Sequence, residues 1–169
     1  ALKHPIERAD VLEISPEVVE ASSLFARENH RALADSRTRL IVDDGRLHLM
    51  LSRSPYDVII SEPSNPWMAG IVSLFTREFF ESARRNLAPG GVLCQWAHTY
   101  DISDSDFRSI VATFLSVFPN GSLWLIGKGD VLLVGSTESL DARFGEMARG
   151  WERPGVAGDL LDVGVHRPF

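Results

Sequence analysis

Polar and acidic side chains follow three apolar, strand-like runs of this 169-residue sequence, which are ADVLE, TRLIV and YDVII. The residues that end or directly follow these runs are Glu13, Asp43, Asp44, Ser61 and Glu62. In an open α/β sheet the ligand lies beyond the carboxyl ends of the strands. We therefore expect these side chains to line one edge of a sheet and to carry the chemistry of the protein.

The chemistry of two of these acids follows from their type and place. A carboxylate at a strand end can accept hydrogen bonds from the vicinal hydroxyls of a ribose, and Glu13 is the candidate for this role. Asp44 can accept a hydrogen bond from an exocyclic amine, while Gly45 lets the backbone approach a flat base. Two simpler interpretations remain open. Glu13 can be an ordinary polar strand end, and Asp44 can cap a helix that begins at Gly45.

A fourth strand-like run, GVLCQWAH, brings further side chains to the same edge. Gln95 and Trp96 lie in the second half of this run. Trp96 together with Trp67 can wall an apolar pocket, stack on a base or belong to the core. We interpret His98 as a strand-end histidine with satisfied hydrogen bonds and Cys94 as a buried structural thiol. With one cysteine and no cluster of ligands, the sequence predicts no metal site.

Strand-like and helical patterns alternate along the chain. We predict strands at 9–14, 38–44, 56–61 and 91–98, and a hairpin of two strands around residues 128–129. We predict helices after the capping residue Ser15, from Gly45, and over 73–87, 103–118 and about 139–150, with the APGG stretch ending the third. Such alternation with continuous apolar strands indicates an α/β protein whose mostly parallel sheet is covered on both faces.

The overall composition excludes several classes of protein. A hydrophobic content of 44% and a charged content of 24% are typical of one globular domain, which we place over residues 1–169. The net charge of -6, without a basic stripe, argues against a nucleic-acid partner. No run of about 18 apolar residues and no signal-peptide pattern occurs, so we expect no membrane span and a cytoplasmic protein.

Several segments together resemble one family of enzymes. They are VLEISPEVVEAS, DDGR, YDVIISEPSNPWMAGIVSLFTREFFESARRNLAPGGVLCQWAHTY and TFLSVFPNGSLWL. These segments are similar to the spermidine synthases, the polyamine aminopropyltransferases, over roughly residues 1 to 136. The resemblance implies a Rossmann-like class I methyltransferase fold with a C-terminal antiparallel hairpin. It also implies a transferase that moves an aminopropyl group from decarboxylated S-adenosylmethionine to an amine. A nicotinamide dehydrogenase would explain neither the proline-rich stretch EPSNPW, which follows YDVIIS, nor the hairpin.

The resemblance implies a role for each candidate residue. Decarboxylated S-adenosylmethionine or S-adenosylmethionine would be the cofactor, no metal would be needed, and a small-molecule amine would be the acceptor. The catalytic residues would be Glu62, as the base, and Asn65. The remaining assignments are cofactor binding by Glu13, Asp44, Gly45 and Ser61, and a substrate pocket of Pro66, Trp67, Gln95 and Trp96.

Asn65 marks a departure from the family, which has a second aspartate at this place. Asn65 is neutral, so it cannot take a proton near pH 7 and offers no charge to a second ammonium. A lost charge-assisted contact costs roughly 1.5–3 kcal/mol of binding free energy. We therefore expect the acceptor to be an amine other than putrescine, or a nucleophile that is not an amine.

A second departure lies at the start of the chain, where only 12 residues precede Glu13. The family's first strand and glycine-rich loop would come before these residues, so we expect a truncated domain. Without that strand, strands 9–14 and 56–61 either pair directly or leave edges for a second chain, and we expect a homodimer. A non-catalytic remnant that binds a nucleoside or a partner protein is the alternative function.

Overall fold

The computed structural model describes residues 2–52, 54–63, 70–140, 143–153 and 155–167. Contacts divide the chain into two compact units. The first unit contains residues 1–47 and 142–169, and the second contains residues 48–141. The assignment of residues 1–169 to one domain stays a prediction.

The first unit contains a parallel pair of strands. Strand β1 (Ala9–Glu13) pairs with β2 (Thr38–Val42), with Glu13 opposite Val42. Helix α1 (Pro16–Ala21) follows β1, and its first turn is stabilised by the predicted cap. The Val18 N–H donates to Ser15 Oγ at 3.3 Å, and Pro16 occupies the first helical position, where a missing N–H costs nothing.

The helix predicted after Ser15 is shorter than its apolar spacing indicates. It ends at Ala21 and continues as a 3-10 helix over residues 22–25. The hydroxyls of Ser22 and Ser23 donate to the carbonyls of Val19 and Glu20, at 2.7 and 2.8 Å, which competes with regular helical bonding. A second 3-10 helix covers residues 32–34 before β2 begins.

The rest of the first unit comes from the C-terminal part of the chain. Helix α5 (Phe144–Trp151) begins later than the helix predicted at about 139–150, and α6 (Val156–Asp162) was not predicted. Lys3 Nζ lies 2.6 Å from Asp159 Oδ1, so a salt bridge joins α6 to the start of the chain. None of the helices in the described ranges is long and apolar enough to cross a membrane.

The second unit is built on a four-stranded sheet in the order β3-β4-β6-β5. Strand β3 (Tyr56–Ser61) runs parallel to β4 (Leu87–His98). Strand β6 (Asp130–Ser136) is antiparallel to both of its neighbours, β4 and β5 (Ser122–Ile126). The predicted C-terminal hairpin is therefore confirmed, and its last strand lies between two strands that precede it in the sequence.

Helices α3 (Arg77–Arg85) and α4 (Asp104–Val117) cover one face of this sheet, whereas α2 (Gly45–Leu51) spans the boundary between the units. The core on the covered face contains Phe80, Phe114 and Phe118 with Leu93 and Leu133, all fully buried. The rings of Phe80 and Phe114 pack edge to face at 5.3 Å between centroids. Ser103 caps the start of α4, and its side chain accepts a hydrogen bond from the Asp106 N–H.

The prediction of one helix over 73–87 was wrong. A 3-10 helix covers residues 71–75, Thr76 is extended, and α3 starts at Arg77 because Thr76 Oγ1 accepts a hydrogen bond from the Phe79 N–H at 3.3 Å. The APGG stretch does not form a separate turn. It lies inside β4, where Gly90 has a φ of +69° and the pairing with β3 shifts register.

Strands β1 and β3 belong to different units. Their direct pairing, one of the two predicted arrangements, stays a prediction. Strand β3 is an edge strand of the four-stranded sheet. Its side chains Val58 and Ile60 are 56% and 66% exposed.

Candidate functional site

The first unit carries three of the predicted acids at the carboxyl end of its parallel pair. Glu13 is the last residue of β1, and Asp43 and Asp44 directly follow β2. Glu13 is half-buried, and its Oε1 accepts a hydrogen bond from the Ser15 N–H at 2.8 Å. The chain therefore holds one carboxylate oxygen of Glu13 in place at the strand end.

Asp44 caps helix α2. Its Oδ1 accepts hydrogen bonds from the N–H groups of Arg46 and Leu47, at 2.8 and 3.3 Å. This is the simpler of the two interpretations drawn from the sequence, and binding to a nucleoside amine stays a prediction. A Cβ at Gly45 would lie 3.8 Å from Leu12 Cβ, which is an ordinary contact, so no crowding within this unit requires a glycine there.

The second unit places the other candidates at the carboxyl ends of β3 and β4. Ser61 lies opposite Gln95, just as Ile59 lies opposite Leu93. Aligned residues of neighbouring strands share a face, and consecutive residues alternate between faces. Ser61 and Gln95 therefore lie on the face that α3 and α4 cover, together with the buried Leu93.

Cys94 and Trp96 lie on the opposite face of β4, so Gln95 and Trp96, both predicted in the substrate pocket, point to different sides of the sheet. Both Cys94 and Trp96 are half-buried. Burial raises the pKa of the Cys94 thiol above its usual range, and the negative charge of Glu62 raises this pKa further. The exposed Glu62 carboxylate thus acts on the Cys94 side of the sheet edge.

Gln95 is fully buried although its side chain is polar. Its Nε2 donates to the carbonyl oxygen of Trp96 at 3.1 Å. Its Oε1 is buried too, and it accepts no hydrogen bond from any described residue. Buried side-chain oxygens nearly always have a partner, so this oxygen is an exception to the rule.

Three aromatic side chains line the end of β4 on the Cys94 side. The ring of His98 stacks on Tyr100 with 4.1 Å between centroids and lies 5.1 Å from the ring of Trp96. His98 Nδ1 lies 2.9 Å from the Tyr100 carbonyl oxygen, which can only accept, so the proton is on Nδ1. Tyr100 was not among the predicted site residues, although the spacing of 96, 98 and 100 indicates one strand face.

Asn65, Pro66 and Trp67 lie outside the described residues, so their predicted roles stay predictions. Within the ranges that the structure describes, no three His, Cys, Asp or Glu side chains are grouped closely enough to hold a metal ion.

The domain profile described as "Spermine/spermidine synthase domain" matches residues 1–126. The chain belongs to this family. Among curated proteins it is 33% identical over 119 residues to putrescine N-methyltransferase 3 from Nicotiana tabacum, covering 69% of this chain and 31% of that protein. It is 30% identical over 125 residues to the polyamine aminopropyltransferase of Caldicellulosiruptor saccharolyticus, covering 73% and 45% respectively.

Solved structures agree on the fold of this spermidine synthase-like domain. A spermidine synthase in complex with the transition state analogue AdoDATO matches with a TM-score of 0.79 and 19% identity, over 97% of this chain and 63% of that one. Human methyltransferase-like protein 13 in complex with SAH matches with a TM-score of 0.68 and 20% identity, over 89% and 71%. The predicted class I methyltransferase-like α/β fold is confirmed.

The match extends over only part of these proteins. The chain spans between about a third and half the length of the curated relatives described above. The domain is related to the aminopropyltransferases.

Proposed function

We propose that this domain transfers an aminopropyl group, or a related alkyl group, from decarboxylated S-adenosylmethionine or S-adenosylmethionine to an amine. The observation that supports this most directly is the position of Glu62. It follows β3 at the carboxyl edge of the sheet, it is exposed, and its charge acts on the neighbouring Cys94. A carboxylate in such a place can both attract a cationic amine and take up its proton.

The first unit offers groups that fit the nucleoside part of the donor. Among the described residues, the Ser15 N–H holds Glu13 through Oε1, so Oε2 can accept hydrogen bonds from ribose hydroxyls. Asp44 is anchored as a helix cap through Oδ1, and its second oxygen can accept from an exocyclic amine. When bound, the donor supplies a sulfonium whose neighbouring carbon is electrophilic.

The second unit supplies the acceptor chemistry. An alkylammonium has no free electron pair, so it must lose a proton before its nitrogen can attack. Glu62 takes this proton, and the nitrogen then bonds to the carbon that leaves the sulfur. The half-buried ring of Trp96, on the Cys94 side of β4, can stabilise a cationic amine by a cation–π contact.

The assembly and the compartment are further proposals. We propose a homodimer, supported by the edge strand β3 and its exposed side chains Val58 and Ile60. Light scattering coupled to size exclusion would give the mass of a single chain if this proposal is wrong. The cytoplasmic location stays a prediction from the sequence.

Titration calorimetry and a transfer assay test the proposed function. The full chain should bind methylthioadenosine, the nucleoside by-product, and Glu13→Ala should weaken this binding while the exposed Glu20→Ala on α1 should not. Glu62→Gln should abolish transfer to an amine but keep nucleoside binding, and Glu138→Gln, an exposed acid of the same unit, should keep both. A folded chain that binds no nucleoside would refute the proposal and favour the non-catalytic alternative.

A further inference from the structure

A cavity of about 430 Å³ lies in the second unit, at the end of the sheet opposite to Glu62. Helices α3 and α4 end beside this cavity, and β6 ends there too, because its last residue Ser136 lies opposite Val92 in the first half of β4. The lining side chains, which define the arginine cavity, are those of Glu81, Arg84, Arg85, Ser116, Val117 and Thr137. A volume of this size can hold a small organic molecule.

Arg84 and Arg85 bring two positive charges to the arginine cavity, and one hydrogen bond anchors each of them. Arg84 Nη1 donates to the Val117 carbonyl oxygen at 3.1 Å, and Arg85 Nη2 donates to Ser82 Oγ at 2.8 Å. A guanidinium has five N–H donors, so most donors of both side chains are left for a ligand. Neither arginine forms an ion pair with a residue that the structure describes. Two such charges at one cavity favour an anion.

Thr137 adds a neutral donor to the same cavity. Its Oγ1 accepts a hydrogen bond from the Gly90 N–H at 3.0 Å and lies 3.5 Å from the Ala88 carbonyl oxygen, which is the long limit for a hydrogen bond. The Thr137 hydroxyl hydrogen is therefore weakly held and can turn to an oxygen of a ligand. The Ser116 hydroxyl instead donates to the Thr113 carbonyl oxygen at 2.6 Å, so it offers a ligand only a lone pair.

Glu81 restricts which anions suit the arginine cavity. It lies three and four residues before Arg84 and Arg85, where side chains of a helix are neighbours, yet it forms no ion pair with a described residue. Its carboxylate repels a bare anion and accepts hydrogen bonds from hydroxyl groups. Since the Ser116 oxygen also accepts, the ligand that suits all these side chains has an anionic end for the arginines and hydroxyl groups for Glu81 and Ser116.

We propose that the arginine cavity binds a phosphate monoester of a small hydroxylated molecule. Arg84, Arg85 and Thr137 hold the phosphate, and hydroxyl groups of the rest of the ligand face Glu81 and Ser116. A phosphate monoester has three terminal oxygens and about two negative charges near neutral pH, and guanidinium groups match these oxygens through paired N–H donors. A carboxylate has only two oxygens to share among the three donor side chains. Binding at this end of the sheet does not depend on the proposed transfer.

Titration calorimetry of the full chain at constant ionic strength tests this proposal, with glycerol 3-phosphate and inorganic phosphate as probes. Glycerol 3-phosphate should bind more tightly than inorganic phosphate, and glycerol should not bind. Arg85→Gln should weaken the binding of glycerol 3-phosphate about tenfold, because it removes a charge-assisted contact. Arg108→Gln is the matched control, since Arg108 is an exposed arginine near the start of α4, and it should leave binding unchanged. Glu81→Gln should bind inorganic phosphate more tightly, because it removes a repulsive charge.

Chemical modification of the unmodified chain locates the ligand without any variant. Phenylglyoxal reacts with exposed arginines, and glycerol 3-phosphate should slow its reaction with Arg84 and Arg85 but not with Arg108, as measured by peptide mapping. Equal protection of all three arginines, or equal weakening by Arg85→Gln and Arg108→Gln, would overturn the proposal, because the ligand would then respond only to net charge. Tighter binding of inorganic phosphate than of glycerol 3-phosphate would overturn the assignment to a monoester.

Discussion

Gly135 of β6 is the position in the second unit where an added methyl group should lower the stability most clearly. A Cβ at this position would lie 2.6 Å from Phe118 Cγ, 2.7 Å from Phe118 Cδ1 and 2.9 Å from Phe114 Cζ. Both rings are fully buried and stack on each other at 5.1 Å between centroids, so neither can move away alone. Gly135→Ala should therefore force the core apart.

The cost can be worked out from these distances. Three contacts lie well below the 3.5–4.0 Å at which carbon atoms attract, and overpacking a core by one methyl group costs typically 1–3 kcal/mol. We expect Gly135→Ala to lower the free energy of unfolding by about 2 kcal/mol. In a unit of this size each kcal/mol lowers the melting temperature by roughly 4–8 °C.

Urea denaturation followed by circular dichroism measures this loss, and hydrogen exchange of the β6 amides localises it to the second unit. Gly158→Ala is a control that should raise the free energy of unfolding instead of lowering it. Gly158 is an exposed residue of α6 with nothing within 4 Å of an added Cβ, so alanine should stabilise that helix by about 0.5–1 kcal/mol. A Gly135→Ala variant as stable as the unmodified chain would refute the packing of β6 against α4.

Two further predictions concern titration. Glu62→Gln should lower the pKa of the Cys94 thiol, because it removes a negative charge that raises this pKa beyond the effect of burial. The pH dependence of alkylation by iodoacetamide measures the change. An unchanged pH profile would mean that the charge of Glu62 does not act on Cys94. Hydrogen bonds from Arg37 lower the pKa of Asp35 from 3.8 to about 2, so Asp35 contributes stability above pH 3.8 that is lost as the pH falls towards 2. As the pH falls over this range, the free energy of unfolding from urea titrations should decrease less for Asp35→Asn than for the unmodified chain. Parallel curves of this free energy against pH would contradict the lowered pKa of Asp35.

Much of the fold was predictable from the sequence because its strands are continuous apolar runs. The strand predicted over residues 56–61 is β3 itself, and the one predicted at 9–14 differs from β1 by a single residue. Helix boundaries were less accurate. The apolar spacing continues through Thr76 and Ser22, and it does not reveal that their side chains form hydrogen bonds that end or start a helix.

The candidate site was predictable in part for a similar reason. The strand ends that carry Glu13 and Glu62 follow from the alternation of strands and helices. The opposite orientation of Gln95 and Trp96 follows from the two-residue period of a strand, although both were predicted to line one pocket. The sequence could not predict the unsatisfied oxygen of Gln95, because its hydrogen bonding depends on which distant residues cover that face of β4.

The sheet order has a consequence for folding during synthesis. Strand β5 joins the sheet only through β6, which follows it in the chain, and the match to the family profile ends at residue 126, before β6 begins. A nascent chain that has emerged only as far as Ile126 can pair β3 with β4, but it leaves β5 without a neighbour. Leu123, Trp124 and Leu125 are then an apolar segment open to chaperones or to aggregation until β6 inserts.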